Sequence, residues 1–294
     1  MNMSRSTRFI LLSFRVIPLG ARKKFFRALF LLFYHFSARH RLITLLNLLR
    51  AFPEKGTGEI GMLARNVFRH MGTVAAEFFE IPAYRRGELP PGVAFTGREH
   101  YDNAMARGKG CIFFTGHLGN WELMAASMGF IGIYGNIVYR RLDNPVLENV
   151  VLWFRTFTGH RMVPKGGASK ALISLLRGNQ MVAVLMDQNV AWREGVFVDF
   201  FGRPAATTRG IAAFALATGA AVLPIVNFRL EDGTYRIVMG EEIPLIRTGN
   251  RERDILENTQ AYSAVLEHYI RRYPDQWFWP HQRWKTKPYE AMGK

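Results

Sequence analysis

Gly110-Cys111-Ile112-Phe113-Phe114-Thr115-Gly116-His117-Leu118-Gly119-Asn120-Trp121-Glu122 decides how the chain is read. Cys111 to Phe114 is an unbroken apolar run of strand length, which predicts a buried strand. Leu123-Met124-Ala125-Ala126-Ser127-Met128 then predicts a helix over 120–130. His117 therefore falls where strand hands over to helix, and Glu122 lies one turn inside that helix. In open α/β sheets, ligand sites collect at such strand ends. An imidazole beside a carboxylate is the minimum equipment for deprotonating an alcohol. The carboxylate fixes the tautomer, and the other ring nitrogen takes the proton. Gly116 and Gly119 allow a tight turn and close approach of a substrate. A histidine near a glutamate is also a common structural pair, so it is the strand-end position that favours catalysis. Backbone amides at the start of the helix are candidate oxyanion donors.

Working outward, strand and helix alternate. Strands are predicted at Val93–Thr96, Asn136–Tyr139, Arg161–Pro164, Met181–Met186, Ala221–Phe228 and Tyr235–Met239. Helices are predicted at Glu99–Ala106, 146–157, 168–177, 208–217 and 251–272, with Pro145 starting one and Gly178 ending another. The pattern gives an α/β class with a central mixed, mostly parallel sheet flanked by helices. No internal repeat or low-complexity tract interrupts it.

The first fifty residues are different. They hold ten basic side chains and no acidic one, interleaved with apolar blocks at Phe9–Leu12, Val16–Leu19 and Ala28–Tyr34. That mixture predicts a helical segment lying on an anionic membrane. Its longest uncharged stretch, Ala28–Ala38, is shorter than the roughly 20 apolar residues of a spanning helix. A longer tilted helix over 9–36 would be interrupted at Pro18 and Gly20. The alternative is an amphipathic helix packed on the protein's own core. Residues 42–84 are helical, with a break at Phe52-Pro53, and Gly87–Gly92 closes them. The expected organisation is a membrane-associating segment over 1–40 and one catalytic domain over 41–294. That domain divides into a helical part, 41–92, and an α/β body, 93–294.

Three further stretches carry polar groups at strand or chain ends. Tyr139-Arg140-Arg141-Leu142-Asp143-Asn144-Pro145 offers two guanidinium groups, of which Arg140 is the candidate phosphate ligand; a surface pair with Asp143 is the alternative. Asp187-Gln188-Asn189 ends another strand, and an aromatic loop over 196–210 follows it. That loop either lines a substrate groove or packs, with Thr207 or Thr208 capping the next helix. Gln276 to Lys285 holds three tryptophans, Trp277, Trp279 and Trp284, suited to a membrane interface or to a clamp on the core.

Other chemistries lack their parts. There is no Gly-x-Ser-x-Gly elbow, no phosphate-binding Walker loop, and no His or Cys cluster with metal-ligand spacing. A nucleotide-using enzyme is thereby disfavoured. The single cysteine, Cys111, sits in the apolar strand and reads as a small hydrophobe. Formal net charge is +16, from 39 Lys+Arg against 23 Asp+Glu, which favours anionic partners.

The His117-x4-Glu122 stretch resembles the His-x4-Asp/Glu motif of glycerolipid acyltransferases, in the version of the bacterial lipid A late acyltransferases. The resemblance extends over Tyr139 to Pro145, Asp187-Gln188, Phe200-Phe201-Gly202 with Ala206-Thr207-Thr208, and Gln276-Trp277-Phe278-Trp279 with His281 and Arg283-Trp284-Lys285. Mycobacterial phosphatidylinositol mannoside acyltransferases look similar. The acid is Glu122 where the wider superfamily has Asp, and Arg141 is often not arginine in relatives. The resemblance implies a glycerolipid acyltransferase-like fold and transfer of an acyl chain from acyl carrier protein or coenzyme A to a hydroxyl of a lipid A precursor. No cofactor, metal or nucleic acid is implied. His117 would be the general base and Glu122 its orienting acid. Arg140, Asn120, Asp143, Asn144, Asp187 and Gln188 would contact substrate. The expected location is the inner membrane, with the active site facing the cytoplasm. Alternatives are an acyltransferase for another membrane glycolipid or phospholipid, or a membrane-associated acyl-thioester hydrolase.

Overall fold

A computed structural model describes residues 13–288. The expected apolar block Phe9–Leu12, with Arg5 and Arg8, lies outside them. Helices α1 (Leu19–Phe36), α2 (Ala38–Ala51) and α3 (Thr57–Phe78) come first. Then follow β1 (Val93–Thr96), α4 (Arg98–Ala106), β2 (Cys111–Thr115), α5 (Trp121–Phe130), β3 (Asn136–Tyr139) and α6 (Pro145–Phe157). The chain continues through β4 (Arg161–Pro164), α7 (Ser169–Arg177), β5 (Met181–Leu185), β6 (Gly195–Asp199), β7 (Pro204–Thr208) and α8 (Gly210–Thr218). It closes with β8 (Ala221–Arg229), β9 (Tyr235–Met239) and α9 (Arg251–Arg272).

Seven strands form one sheet in the order β1-β9-β8-β2-β5-β3-β4. Every pairing is parallel except β8 with β9. The central strand β2 is buried along its whole length, as its unbroken apolar run requires. Phe113 and Cys111 face one layer of the core, and Ile112 and Phe114 the other. The C-terminal ends of β8, β2, β5 and β3 thus open on a single edge of the sheet.

Pro18 marks the start of α1, so the chain before it cannot continue that helix, whereas Gly20 is absorbed within it. No helix among the described residues is long and apolar enough to cross a membrane. Helix α1 lies along α3. Lys23 Nζ sits 2.7 Å from Glu77 Oε1, and Arg22 pairs with Glu80. Yet Phe25, Leu29, Leu32, Phe33 and Phe36 remain exposed on α1. One helix therefore packs on the protein and presents apolar side chains to its surroundings.

The stretch read as an aromatic loop is a hairpin. Strands β6 and β7 pair antiparallel, and Phe201 and Gly202 both take positive φ at the turn. Positive φ at two successive residues suits the twist of a tight hairpin. Phenylalanine at the first of these positions hid the turn from a reading based on Asn, Asp and Gly. The expected helix cap also fails for Thr207. It is buried in β7, where its hydroxyl accepts from Arg283. Thr208 Oγ1, two residues ahead of α8, instead accepts from the Gly210 amide at 3.3 Å. The C-terminal tryptophans form the clamp: Trp277, Trp279 and Trp284 are all buried. Arg283 is buried with them, donating Nη1 to the Ala206 carbonyl at 2.8 Å and lying over the Phe200 ring.

Candidate active site

Strands β2 and β5 are parallel neighbours with Thr115 opposite Leu185. Two residues beyond that pair, the register brings His117 and Asp187 together. Asp187 Oδ1 lies 2.9 Å from His117 Nδ1. Its Oδ2 accepts from the His117 backbone N–H at 2.6 Å and from Trp277 Nε1 at 2.7 Å. The carboxylate is thus held on both oxygens. Burial pushes its pKa up, but the His117 charge, the two hydrogen bonds from His117 and the one from Trp277 outweigh that and hold it at about 2.

Two glycines make the arrangement possible. A Cβ on Gly116 would stand 3.0 Å from Asp187 Oδ2 and crowd the carboxylate. Gly119 has φ of +59°, and a Cβ there would collide with the Asn227 carbonyl. The loop between them is fixed by the C-terminal segment. Gly119 N–H donates to the Gln276 carbonyl, and Phe278 N–H to the His117 carbonyl, both at 3.0 Å. The rings of Trp121 and Phe278 flank the imidazole at 5.1 and 6.1 Å. The His117 side chain is 22 % exposed, and Nε2 has no hydrogen-bond partner among the described residues.

Glu122 does not orient His117, which corrects the expected pairing. No hydrogen bond joins them. Arg155 on α6 holds Glu122 with two parallel bonds, Nε to Oε2 at 3.0 Å and Nη2 to Oε1 at 2.6 Å. Trp121 Nε1 donates to the same carboxylate at 3.0 Å. Burial disfavours the ionised form, but Arg155 outweighs it and keeps the carboxyl below the ordinary range. The physical reason is geometric: Glu122 points from α5 to Arg155 on α6, while a strand register delivers Asp187 to the ring. His117 still lies close enough for its charge to act on Glu122. Arg155→Ala would leave a mostly buried Glu122 without its cation and held by Trp121 alone. Broken buried pairs cost about 3–5 kcal/mol, and partial exposure reduces this to about 2 kcal/mol. A lowered melting temperature, partly recovered in Arg155→Ala with Glu122→Gln, would show it.

The other expected substrate contacts divide. Asn120 is buried and committed: Oδ1 caps α5 through the Leu123 amide, and Nδ2 donates to Glu77 Oε2 at 2.9 Å. Asn144 Oδ1 caps α6 by accepting from Val146 and Leu147. Both are therefore reassigned from substrate contact to local structure. Asp187 moves from substrate contact to the imidazole, and Gln188 follows it, half-buried. Arg140 directly follows β3 at the same edge but is 82 % exposed, and its ion pair among the described residues is with Asp143 at 3.3 Å.

Several residues near the site escaped the sequence. Asn227 at β8 accepts from the Asn120 amide at 3.0 Å. Glu77 on α3 gathers Lys23, Asn120 and Tyr235. His70 Nε2 lies 3.0 Å from the Gly119 carbonyl. These partners come from distant segments, and only strand order could have announced them. His281 is drawn down to about 4 by burial, near Asp187 and His117. Cys111 is buried in β2 and its thiol is pushed up to about 12, so it is no nucleophile.

An imidazole fixed through Nδ1, with Nε2 open at a strand edge, is equipment for proton abstraction from a hydroxyl. A sequence model of the bacterial lipid A biosynthesis acyltransferases matches residues 7–286, and the chain belongs to that family. It is an O-acyltransferase. It is 26% identical over 284 residues to a lipid A biosynthesis acyltransferase of Haemophilus influenzae, spanning 95% of this chain and 86% of that protein. It is 28% identical over 256 residues to a lipid A biosynthesis lauroyltransferase of Escherichia coli, spanning 86% and 81%. A phosphatidylinositol mannoside acyltransferase of Mycobacterium tuberculosis is 31% identical over 156 residues, half of this chain and 48% of that one.

Proposed function

We propose that the protein moves a fatty acyl chain from acyl carrier protein, or from coenzyme A, to a hydroxyl of a lipid A precursor. The observation that supports this most is the His117 ring, held through Nδ1 by Asp187. His117 Nε2 takes the acceptor's hydroxyl proton. The oxygen then bonds to the thioester carbonyl carbon, the C–S bond breaks, and the imidazolium returns the proton to the leaving thiolate. No acyl-enzyme is required, in keeping with a buried Cys111. At the start of α5, Asn227 and Gln276 already use the amides of Asn120 and Gly119. The amides of Trp121 and Glu122 are the donors assigned here to the oxyanion. Glu122, paired with Arg155, fixes the helix that carries them.

Arg140, at the same edge, meets a phosphate of the acceptor. A net charge of +16 suits both an acidic carrier protein and an anionic bilayer. The enzyme works at the inner membrane, its active site towards the cytoplasm. The test is mass spectrometry of lipid product from purified protein, acyl carrier protein thioester and lipid A precursor. Acylated lipid A is the expected product. Release of free fatty acid at the same rate without acceptor would make the protein a thioesterase. Transfer only to a phosphatidylinositol mannoside would move the acceptor to the second group of relatives.

A further inference from the structure

The apolar stripe of α6 outruns its packing partners. Val146, Val150, Trp153 and Phe157 recur at helical spacing along one face. Val150, Trp153 and Phe157 pack against Phe154, Ile81, Ala126 and Phe130. One turn earlier the cluster has ended, and Val146 and Leu147 are 64 % and 57 % exposed, with Leu142 at 44 %. These side chains are not on a loose end. Glu148 accepts from the Leu142 amide at 2.9 Å and from Tyr139 Oη at 3.0 Å. Asn144 caps the helix. The three apolar residues are therefore presented together, beside the exposed guanidinium groups of Arg140 and Arg141.

We propose that this tip, Arg140 to Leu147, is a second membrane anchor. Leu142, Val146 and Leu147 enter the apolar margin of an anionic bilayer, and the exposed Arg141 meets its phosphates. Two observations favour a lipid surface over a protein partner. Apolar residues flanked by arginine match the chemistry of an anionic lipid interface. The same helix also leads, through buried ring packing, to a second exposed apolar region. At the far end of α6, Phe154 packs on Phe78 and Phe79, and Phe79 stacks on Phe14 and Phe26. Val16 and Ile17 project exposed from that corner. From Val146 to Phe154 is about 12 Å of helix. A bilayer contacting both regions would hold the catalytic edge at the level of the lipid headgroups.

The buried Cys111 makes a direct test possible, because an introduced cysteine takes a thiol label selectively. Full-length Val146→Cys, carrying a polarity-sensitive fluorophore, is mixed with vesicles of phosphatidylethanolamine and phosphatidylglycerol. The fluorophore should shift to the blue and be quenched by spin-labelled lipid. Tyr134→Cys, at the opposite end of β3, should stay water-like. Leu147→Glu should weaken vesicle cosedimentation several-fold with an unchanged melting temperature. A water-like Val146→Cys label on vesicle-bound protein would overturn the proposal, as would failure of the full chain to bind these vesicles. A blue shift produced by acyl carrier protein without vesicles would overturn it too, and would assign the tip to an acidic protein. The label reports insertion whatever the acceptor is.

Discussion

His117→Ala is expected to lower kcat/KM for acyl transfer by about 10²–10⁴-fold, the usual contribution of a positioned base. The fold should survive. The ring is partly exposed, with Trp121 edge-on and Phe278 tilted beside it, and on losing the Nδ1 contact Asp187 still keeps its bonds from the His117 amide and Trp277. Steady-state kinetics with acyl carrier protein thioester, beside a circular dichroism melt, separates lost chemistry from lost structure. Turnover near that of the unaltered protein would remove His117 from the mechanism.

Asp187→Asn is expected to be nearly as damaging, again about 10²–10⁴-fold in kcat/KM. An asparagine can turn its amide group toward Nδ1 and drive the ring proton to Nε2, where the base should be bare. Glu122→Gln should cost far less, because its carboxylate serves Arg155 and Trp121 and not the ring. Asp187→Asn should also flatten the acid limb of stability. Asp187 is depressed from 3.8 to about 2, so folding favours its ionised form. That contribution is complete above 3.8 and is lost as the pH falls toward 2. It is on the order of 2 kcal/mol, and it should be missing from the denaturation profile of Asp187→Asn.

The contrast between Glu122 and Asp187 shows how far a sequence reaches. Strand β2, its glycine loop and α5 are local features, set by an apolar run and a helix cap, and they were legible. So was the position of His117 at a strand end. The partner of its ring was not, because Asp187 is seventy residues away and only the β2–β5 register joins them. Proximity along the chain favoured Glu122, yet α5 turns that carboxylate to Arg155. Asn120 and Asn144 were expected to contact substrate, but both are spent as helix caps. The β6–β7 hairpin was missed because Phe201 occupies a turn position where Asn, Asp or Gly is the usual signal. For Trp277, composition alone left clamp and membrane interface open; the buried indole donating to Asp187 resolves it as part of the site.

The central claim is that Asp187 holds His117 with its proton on Nδ1 and its Nε2 bare. Nitrogen-15 NMR of histidine-labelled protein reads this directly. His117→Ala identifies the resonances by their loss. In the unaltered protein the neutral ring should show a protonated Nδ1 and an unprotonated Nε2. Glu122→Gln should leave that pattern intact, and Asp187→Asn should abolish it. A pattern that survives Asp187→Asn and is lost in Glu122→Gln would contradict the account and return the orienting role to Glu122.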